Sequence, residues 1–123
     1  MSGAGSANCI FCKIISGSIQ SPRVAEDDDF ICIRDIQPQA PQHFLVIPKE
    51  HIVDLVEAFP EAGESRAILI GKMFEFGAGV ARKQGLVPAG FRSVINTGKQ
   101  AGQTVFHVHL HLMGGAPLHD SFG

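Results

Sequence analysis

His107-Val108-His109-Leu110-His111-Leu112-Met113, near the C-terminus, alternates imidazole with aliphatic side chains from His107 to Leu112. A period of two is the period of a β-strand, so the three rings fall on one face while Val108, Leu110 and Leu112 fall on the other. The apolar face needs a core, and the histidine face needs a job. Imidazole acts near neutral pH as nucleophile, proton carrier or metal ligand, and half of the chain's six histidines lie within these five positions. Catalysis is one reading of this comb; a structural metal site or a solvated polar face is the other.

Working outward, the run His43-Phe44-Leu45-Val46-Ile47 is apolar almost throughout and stops at Pro48. It predicts a central strand covered on both sides. Arg23 to Glu26, a turn at Asp27 and Asp28, and Phe30 to Arg34 predict a hairpin. Phe91 to Asn96 predicts a further strand. Pro38 and Pro41 bar helix between the second and third strands, and the segment from Thr97 to Gly102 reads as a loop.

Asn8 caps a short predicted helix through Cys9 to Ile15 that ends at Gly17 and buries Ile10, Phe11 and Ile14. A turn or two of helix is expected from Asp54 to Phe59, broken at Pro60. The main helix is expected from about Glu64 to Gln84, with Gly85 at its end and Ile68, Ile70, Met73, Phe74 and Val80 at helical spacings. Gly71, Gly77 and Gly79 each cost that helix about 1 kcal/mol relative to Ala. Small residues permit close backbone approach, so a packing or dimer surface is expected there. Five strands, one long and one short helix and no βαβ alternation predict an α+β fold around an antiparallel sheet.

The chain has 123 residues, the size of one domain, expected over 8–123 behind a disordered tail at 1–7. No apolar run approaches the roughly 18 residues of a membrane span, and no export signal is visible, so the expected location is cytoplasmic. A net charge of −2 with no Lys/Arg cluster argues against nucleic acid as a partner. It leaves room for a small phosphorylated ligand held by backbone amides and histidines. Three cysteines without an export signal argue against a disulfide framework. Cys9-x-x-Cys12 has the spacing of a zinc half-site, or of two buried thiols. Cys32 reads as a small core residue.

Four blocks in this order, Cys9 to Ile15, Asp35 to Pro41, His43 to Lys49 and Gln103 to Gly115, closely resemble the histidine triad family. More narrowly they resemble its Hint branch, the nucleoside phosphoramidate hydrolases. The resemblance implies a sheet that continues across a homodimer. It also implies hydrolysis of purine nucleoside 5'-phosphoramidates or acyl-nucleotides to the monophosphate through a covalent nucleotidyl-histidine. His109 would be the nucleophile, oriented by His107 and His111, with Thr104 passing a proton to the leaving amine and His43 completing the phosphate network.

The same resemblance gives Asp35 to the ribose, and Asn96, Gly102, Gln103 and Thr104 to the phosphate. An apolar slot of Ile10, Phe11, Ile14, Ile33 and Ile36 would take the base. It also implies a structural zinc on Cys9, Cys12, His51 and His107. Two rivals stand beside this reading: a dinucleoside polyphosphate hydrolase of another triad branch, and a nucleotide- or zinc-binding regulatory protein with weak catalysis. The Hint pattern often has an aromatic residue and a histidine at Ile33 and Arg34, and a tryptophan after its last histidine where this chain has Asp120 after His119. Leaving-group preference is what those departures touch.

Overall fold

The computed structural model describes residues 8–119; the expectations for 1–7 and for Asp120 lie outside them. Five strands form one antiparallel sheet in the order β1-β2-β3-β5-β4, with β1 Ala25–Glu26, β2 Phe30–Arg34, β3 Gln42–Pro48, β4 Phe91–Val94 and β5 Leu110–Gly114. Three α-helices accompany it: α1 Ile10–Ser16, α2 Leu55–Ala58 and α3 Ala67–Lys83. The predicted α+β class, the hairpin and the central position of β3 all hold. No helix among the described residues is long and apolar enough to cross a membrane.

Alternation along the strands divides the interior in two. Phe30, Cys32, Phe44, Val46, Val108, Leu110 and Leu112 pack with Ile70, Met73, Val80 and Ala81 of α3. The intervening Ile31, Ile33, Leu45 and Ile47 pack with Cys9, Phe11, Cys12 and Ile14 of α1. Both faces of β3 are therefore buried, as its unbroken apolar run requires. Burial pushes the Cys32 thiol up to about 12, which makes it the inert core residue expected from its sequence.

The boundaries carry the corrections. The cap of α1 is Cys9, not Asn8: the Cys9 sulfur accepts the Cys12 backbone N–H. Gly17 closes the helix at φ 88°, returning its N–H to the Ile14 carbonyl in a left-handed conformation that suits glycine. Ile10 was expected inside and is 46% exposed, because the first turn of α1 turns only Phe11, Cys12 and Ile14 to the sheet. Helix α3 starts at Ala67 instead of Glu64, with Arg66 as its cap residue and the Ser65 hydroxyl accepting the Ala67 N–H. Ile68 and Phe74, though helically spaced, lie on its exposed side.

The expected close packing at the α3 glycines is met at one of them. A Cβ on Gly77 would come within 3.1 Å of Leu110 Cδ2 and 3.4 Å of Leu112 Cδ2, so this glycine lets the helix settle on the histidine-bearing strand. Gly71 and Gly79 have nothing within 4 Å at that position. Strand β4 stops at Val94, two residues short of the expected Asn96, where its last pair with His111 ends the ladder.

Strand β5 begins at Leu110, not at His107. Beyond that point the backbone finds other partners: the Val108 N–H donates to the Ile52 carbonyl at 2.7 Å, and the His107 ring takes the Pro48 carbonyl. The face alternation nonetheless persists, with Val108 against α3 and the histidines toward α1.

Candidate active site and metal cluster

The triad histidines are buried groups, not a solvated comb. His107 is fully enclosed, His109 is 7% exposed, and His111 is partly open. Each is oriented by a neighbour. The His109 Nδ1–H donates to the His107 carbonyl at 2.8 Å, which leaves Nε2 of the neutral ring with its lone pair. The His107 Nε2–H donates to the Pro48 carbonyl at 2.7 Å, which leaves the lone pair on Nδ1. His111 lies beside His109, with ring centroids 4.9 Å apart, and its Nδ1 is 2.9 Å from His43 Nε2.

Burial pushes all four rings below the ordinary histidine value. His107 falls to about 4, chiefly by burial, with His51 and His109 acting the same way and the Pro48 carbonyl opposing. His111 also falls to about 4, by burial and then by His109 and His43, against Asp35. Burial lowers His109 against the His107 carbonyl and Asp35, and lowers His43 against Asp35. Neutral imidazole is the dominant form of each at pH 7.

The expected metal set converges. Ligand atoms of Cys9, Cys12, His51 and His107 lie within 4.8 Å of one another, close enough to bind a metal ion. The open Nδ1 of His107 is 3.3 Å from Cys9 Sγ, 3.6 Å from Cys12 Sγ and 3.2 Å from His51 Nδ1. Cys12 Sγ is 3.2 Å from His51 Nδ1. A second group, Asp35, His43 and His111, also places its ligand atoms within 4.8 Å of one another.

Phe11 links α1 to both centres. Its ring meets His107 edge-on at 5.9 Å and His109 at 5.1 Å. Ile14 and Ile33 are buried in the same cluster, whereas Ile10 is half exposed and Ile36 is 94% exposed. Asp35 directs Oδ1 to the Gln37 N–H, with Oδ2 3.4 Å from His43 Nε2. Arg34, one of the departures from the family pattern, lies over the Phe44 ring at 4.8 Å.

The segment from Gly98 to Val105, expected as loop and carrying a turn of 3-10 helix at Lys99–Ala101, holds Gly102, Gln103 and Thr104. Gly102 adopts φ 96° and returns its N–H to the Lys99 carbonyl. Gln103 is buried; its amide N–H groups donate to the Val53 and Val105 carbonyls, its oxygen accepts from Gly98 N–H, and its backbone N–H meets the Gly98 carbonyl. Thr104 is exposed on a cavity that Cys9, His51 and Phe106 also line. Asn96 is partly buried just beyond β4.

Two groups in the site went unread in the sequence, Pro48 and Gln39, because each contributes a backbone atom. The signal available was their punctuation: a proline ending the central strand, and a Pro-x-x-Pro turn before His43.

Comparison with known proteins agrees with this architecture. A family model described as "Scavenger mRNA decapping enzyme C-term binding" matches residues 8–119. Protein HitA of Neisseria gonorrhoeae is 47% identical over 107 residues, covering 87% of this chain and 95% of that protein. A purine nucleoside phosphoramidase of Escherichia coli (strain K12) is 39% identical over 109 residues, 89% of this chain and 88% of that one. The crystal structure of a HIT family hydrolase from Legionella pneumophila Philadelphia 1 superposes with a TM-score of 0.86 at 38% identity, covering 94% of this chain and all of that one. With its three alternating histidines turned to one face, its order of blocks and these matches over nearly its whole length, the chain belongs to the histidine triad (HIT) family.

Proposed function

We propose that this protein hydrolyses purine nucleoside 5'-phosphoramidates or acyl-nucleotides to the nucleoside monophosphate. The observation that carries the reading is the His109 ring, buried, neutral and anchored through Nδ1–H so that Nε2 is the nucleophilic nitrogen. The E. coli relative, named a purine nucleoside phosphoramidase, supports the substrate class.

In the first step Nε2 attacks the α-phosphorus, the bond from phosphorus to the leaving amine or acyl oxygen breaks, and a departing amine takes up a proton passed by the Thr104 hydroxyl. Water then attacks the phosphorus, the N–P bond to His109 breaks with its electron pair returning to Nε2, and the proton lost by water restores the one passed to the amine or, where an acyl group has left as its carboxylate, goes to solvent. His107 orients the nucleophile through its backbone carbonyl, and His111, with His43 behind it, binds phosphate oxygens. Asp35 accepts from the ribose hydroxyls, while Asn96, Gly102, Gln103 and Thr104 border the phosphate. Ile10, Phe11, Ile14, Ile33 and Ile36 flank the base.

Zinc fits the Cys2His2 cluster. A tetrahedral ion with Zn–S near 2.3 Å and Zn–N near 2.0 Å separates its ligand atoms by about 3.3–3.8 Å. The four donor contacts given above span 3.2–3.6 Å. The ring of His107 already presents the deprotonated nitrogen that a metal needs. Such an ion would supply structural support and no Lewis acid, because four protein ligands leave no position for water. Cys9 and Cys12 would hold α1, and with it Phe11, against the catalytic strand.

A homodimer and a cytoplasmic location belong to the same proposal. The exposed Ile68 and Phe74 on α3, beside the open Gly71, support a partner there. Light scattering should read two chains per particle at micromolar concentration, and a stable monomer would remove that part. The function itself is tested by steady-state hydrolysis of adenosine 5'-phosphoramidate against diadenosine polyphosphates. Turnover of the phosphoramidate at least ~10-fold faster in kcat/KM is expected, a difference of about 1.4 kcal/mol at the transition state. The reverse preference would favour the polyphosphate branch.

A further inference from the structure

Gln39 sits in the turn between Pro38 and Pro41, and its backbone N–H donates to His43 Nδ1 at 3.0 Å. A donor pointed at that nitrogen requires a lone pair on it, so the proton of a neutral His43 resides on Nε2. That Nε2 is 2.9 Å from His111 Nδ1, whereas Asp35 Oδ2 is the more distant acceptor at 3.4 Å. The His43 proton is therefore shared with His111 Nδ1, which must accept. A neutral His111 then carries its own proton on Nε2, the nitrogen not engaged by His43. One amide thus fixes the direction of every hydrogen bond along the row.

We propose that the backbone amide of Gln39 is a positioning group that locks His43 and His111 in a single tautomeric arrangement, so that His111 offers an N–H, not a lone pair, to a substrate phosphate. This role at the phosphate rests on the hydrolase reading; the lock itself does not. Burial keeps both rings neutral at pH 7, which is the condition under which a tautomer has meaning. The same wiring explains why the two histidine clusters differ in kind. In one, Pro48 holds the Nε2 proton of His107 and frees Nδ1 toward the thiols. In the other, Gln39 holds the His43 proton on the nitrogen that would have to coordinate, so Asp35, His43 and His111 form a hydrogen-bonding row and not a second metal site.

The side chain of Gln39 takes no part. It is exposed, and its amide donates to the Gln37 carbonyl at 3.2 Å. Two substitutions therefore separate backbone from side chain: Gln39→Pro deletes the N–H, and Gln39→Ala keeps it.

The test is two-bond 1H–15N correlation of histidine-labelled protein at pH 7, assigned with His43→Gln and His111→Gln, together with kcat and KM on adenosine 5'-phosphoramidate. In wild type both rings should read as the Nε2–H tautomer. Gln39→Ala should keep that spectrum. Gln39→Pro should show Nδ1–H or a mixture at His43 and lose about tenfold in kcat with KM little changed, the scale of removing an outer-shell partner.

A wild-type His43 protonated on Nδ1 would overturn the lock even if Gln39→Pro does not fold. So would a folded Gln39→Pro with an unaltered spectrum. Wild type that shows both Nε2–H tautomers yet hydrolyses nothing would uphold the lock and defeat the hydrolase reading instead.

Discussion

His109→Ala is expected to abolish turnover of adenosine 5'-phosphoramidate while leaving AMP bound nearly as tightly as before. The substitution removes the one atom asked to form a bond to phosphorus, and no neighbour can reach the same point in the same protonation state. His107 has committed Nε2 to the Pro48 carbonyl and turns Nδ1 to the thiols, while His111 engages His43. Loss of a covalent nucleophile costs at least ~10³-fold in kcat, because the oriented nitrogen and the two-step route disappear together. Binding should change little, since the proposed base and ribose contacts lie elsewhere. The check is stopped-flow or steady-state hydrolysis beside calorimetric AMP binding, on protein shown to be equally folded. Near-normal turnover would mean that a different group attacks.

The second large effect is expected from Cys9→Ser combined with Cys12→Ser. Purified wild type should carry about one zinc per chain by elemental analysis and the double variant none, because hydroxyls do not replace thiolates at such a site. A ligand present at a thousandfold excess over its dissociation constant stabilises the native state by about 4 kcal/mol. For a chain of this size that corresponds to a fall in Tm of roughly 10–20 °C. Activity should decline as well, since α1 holds Phe11 against both His107 and His109. Wild type that is metal-free, fully folded and as heat-resistant as the variant would remove the zinc proposal.

Much of the sheet was legible because burial imposes a period that sequence displays directly. The run from His43 to Ile47 reads as a strand covered twice, and each of its residues is buried. The boundaries were less legible because they depend on which distant group claims a backbone atom. Nothing near His107 announces that Ile52 and Pro48 will draw its neighbourhood out of the ladder. Nor does Asn8, an ordinary cap residue, reveal that a cysteine sulfur one position later takes the capping hydrogen bond.

The candidate site divides along the same line. Side chains with distinctive chemistry, the triad and the Cys-x-x-Cys pair, could be named from their spacing. Their burial, and the Pro48 carbonyl that orients a His107 ring 59 residues away, emerge only when β3 and β5 are brought side by side; the Gln39 amide and the His107 carbonyl act on nearby rings, through local backbone geometry that the spacing does not display. Gln103 shows the point in reverse. Its polar side chain suggests contact with a ligand, yet its donors are taken up inside the loop it closes.

The strand order has a consequence for how the protein is made. Strand β5 is the last of the five to leave the ribosome, yet it lies between β3 and β4, and among the described residues it is the only strand to which β4 is paired. Until residues 110–114 emerge, β3 exposes one unpaired edge and β4 has nothing to join, a state prone to sticking to other chains. When β5 inserts, it closes that edge and delivers His111 in the same event, with His107 and His109 just ahead of it. A nascent chain that stops short of β5 thus has neither a complete sheet nor a complete histidine row.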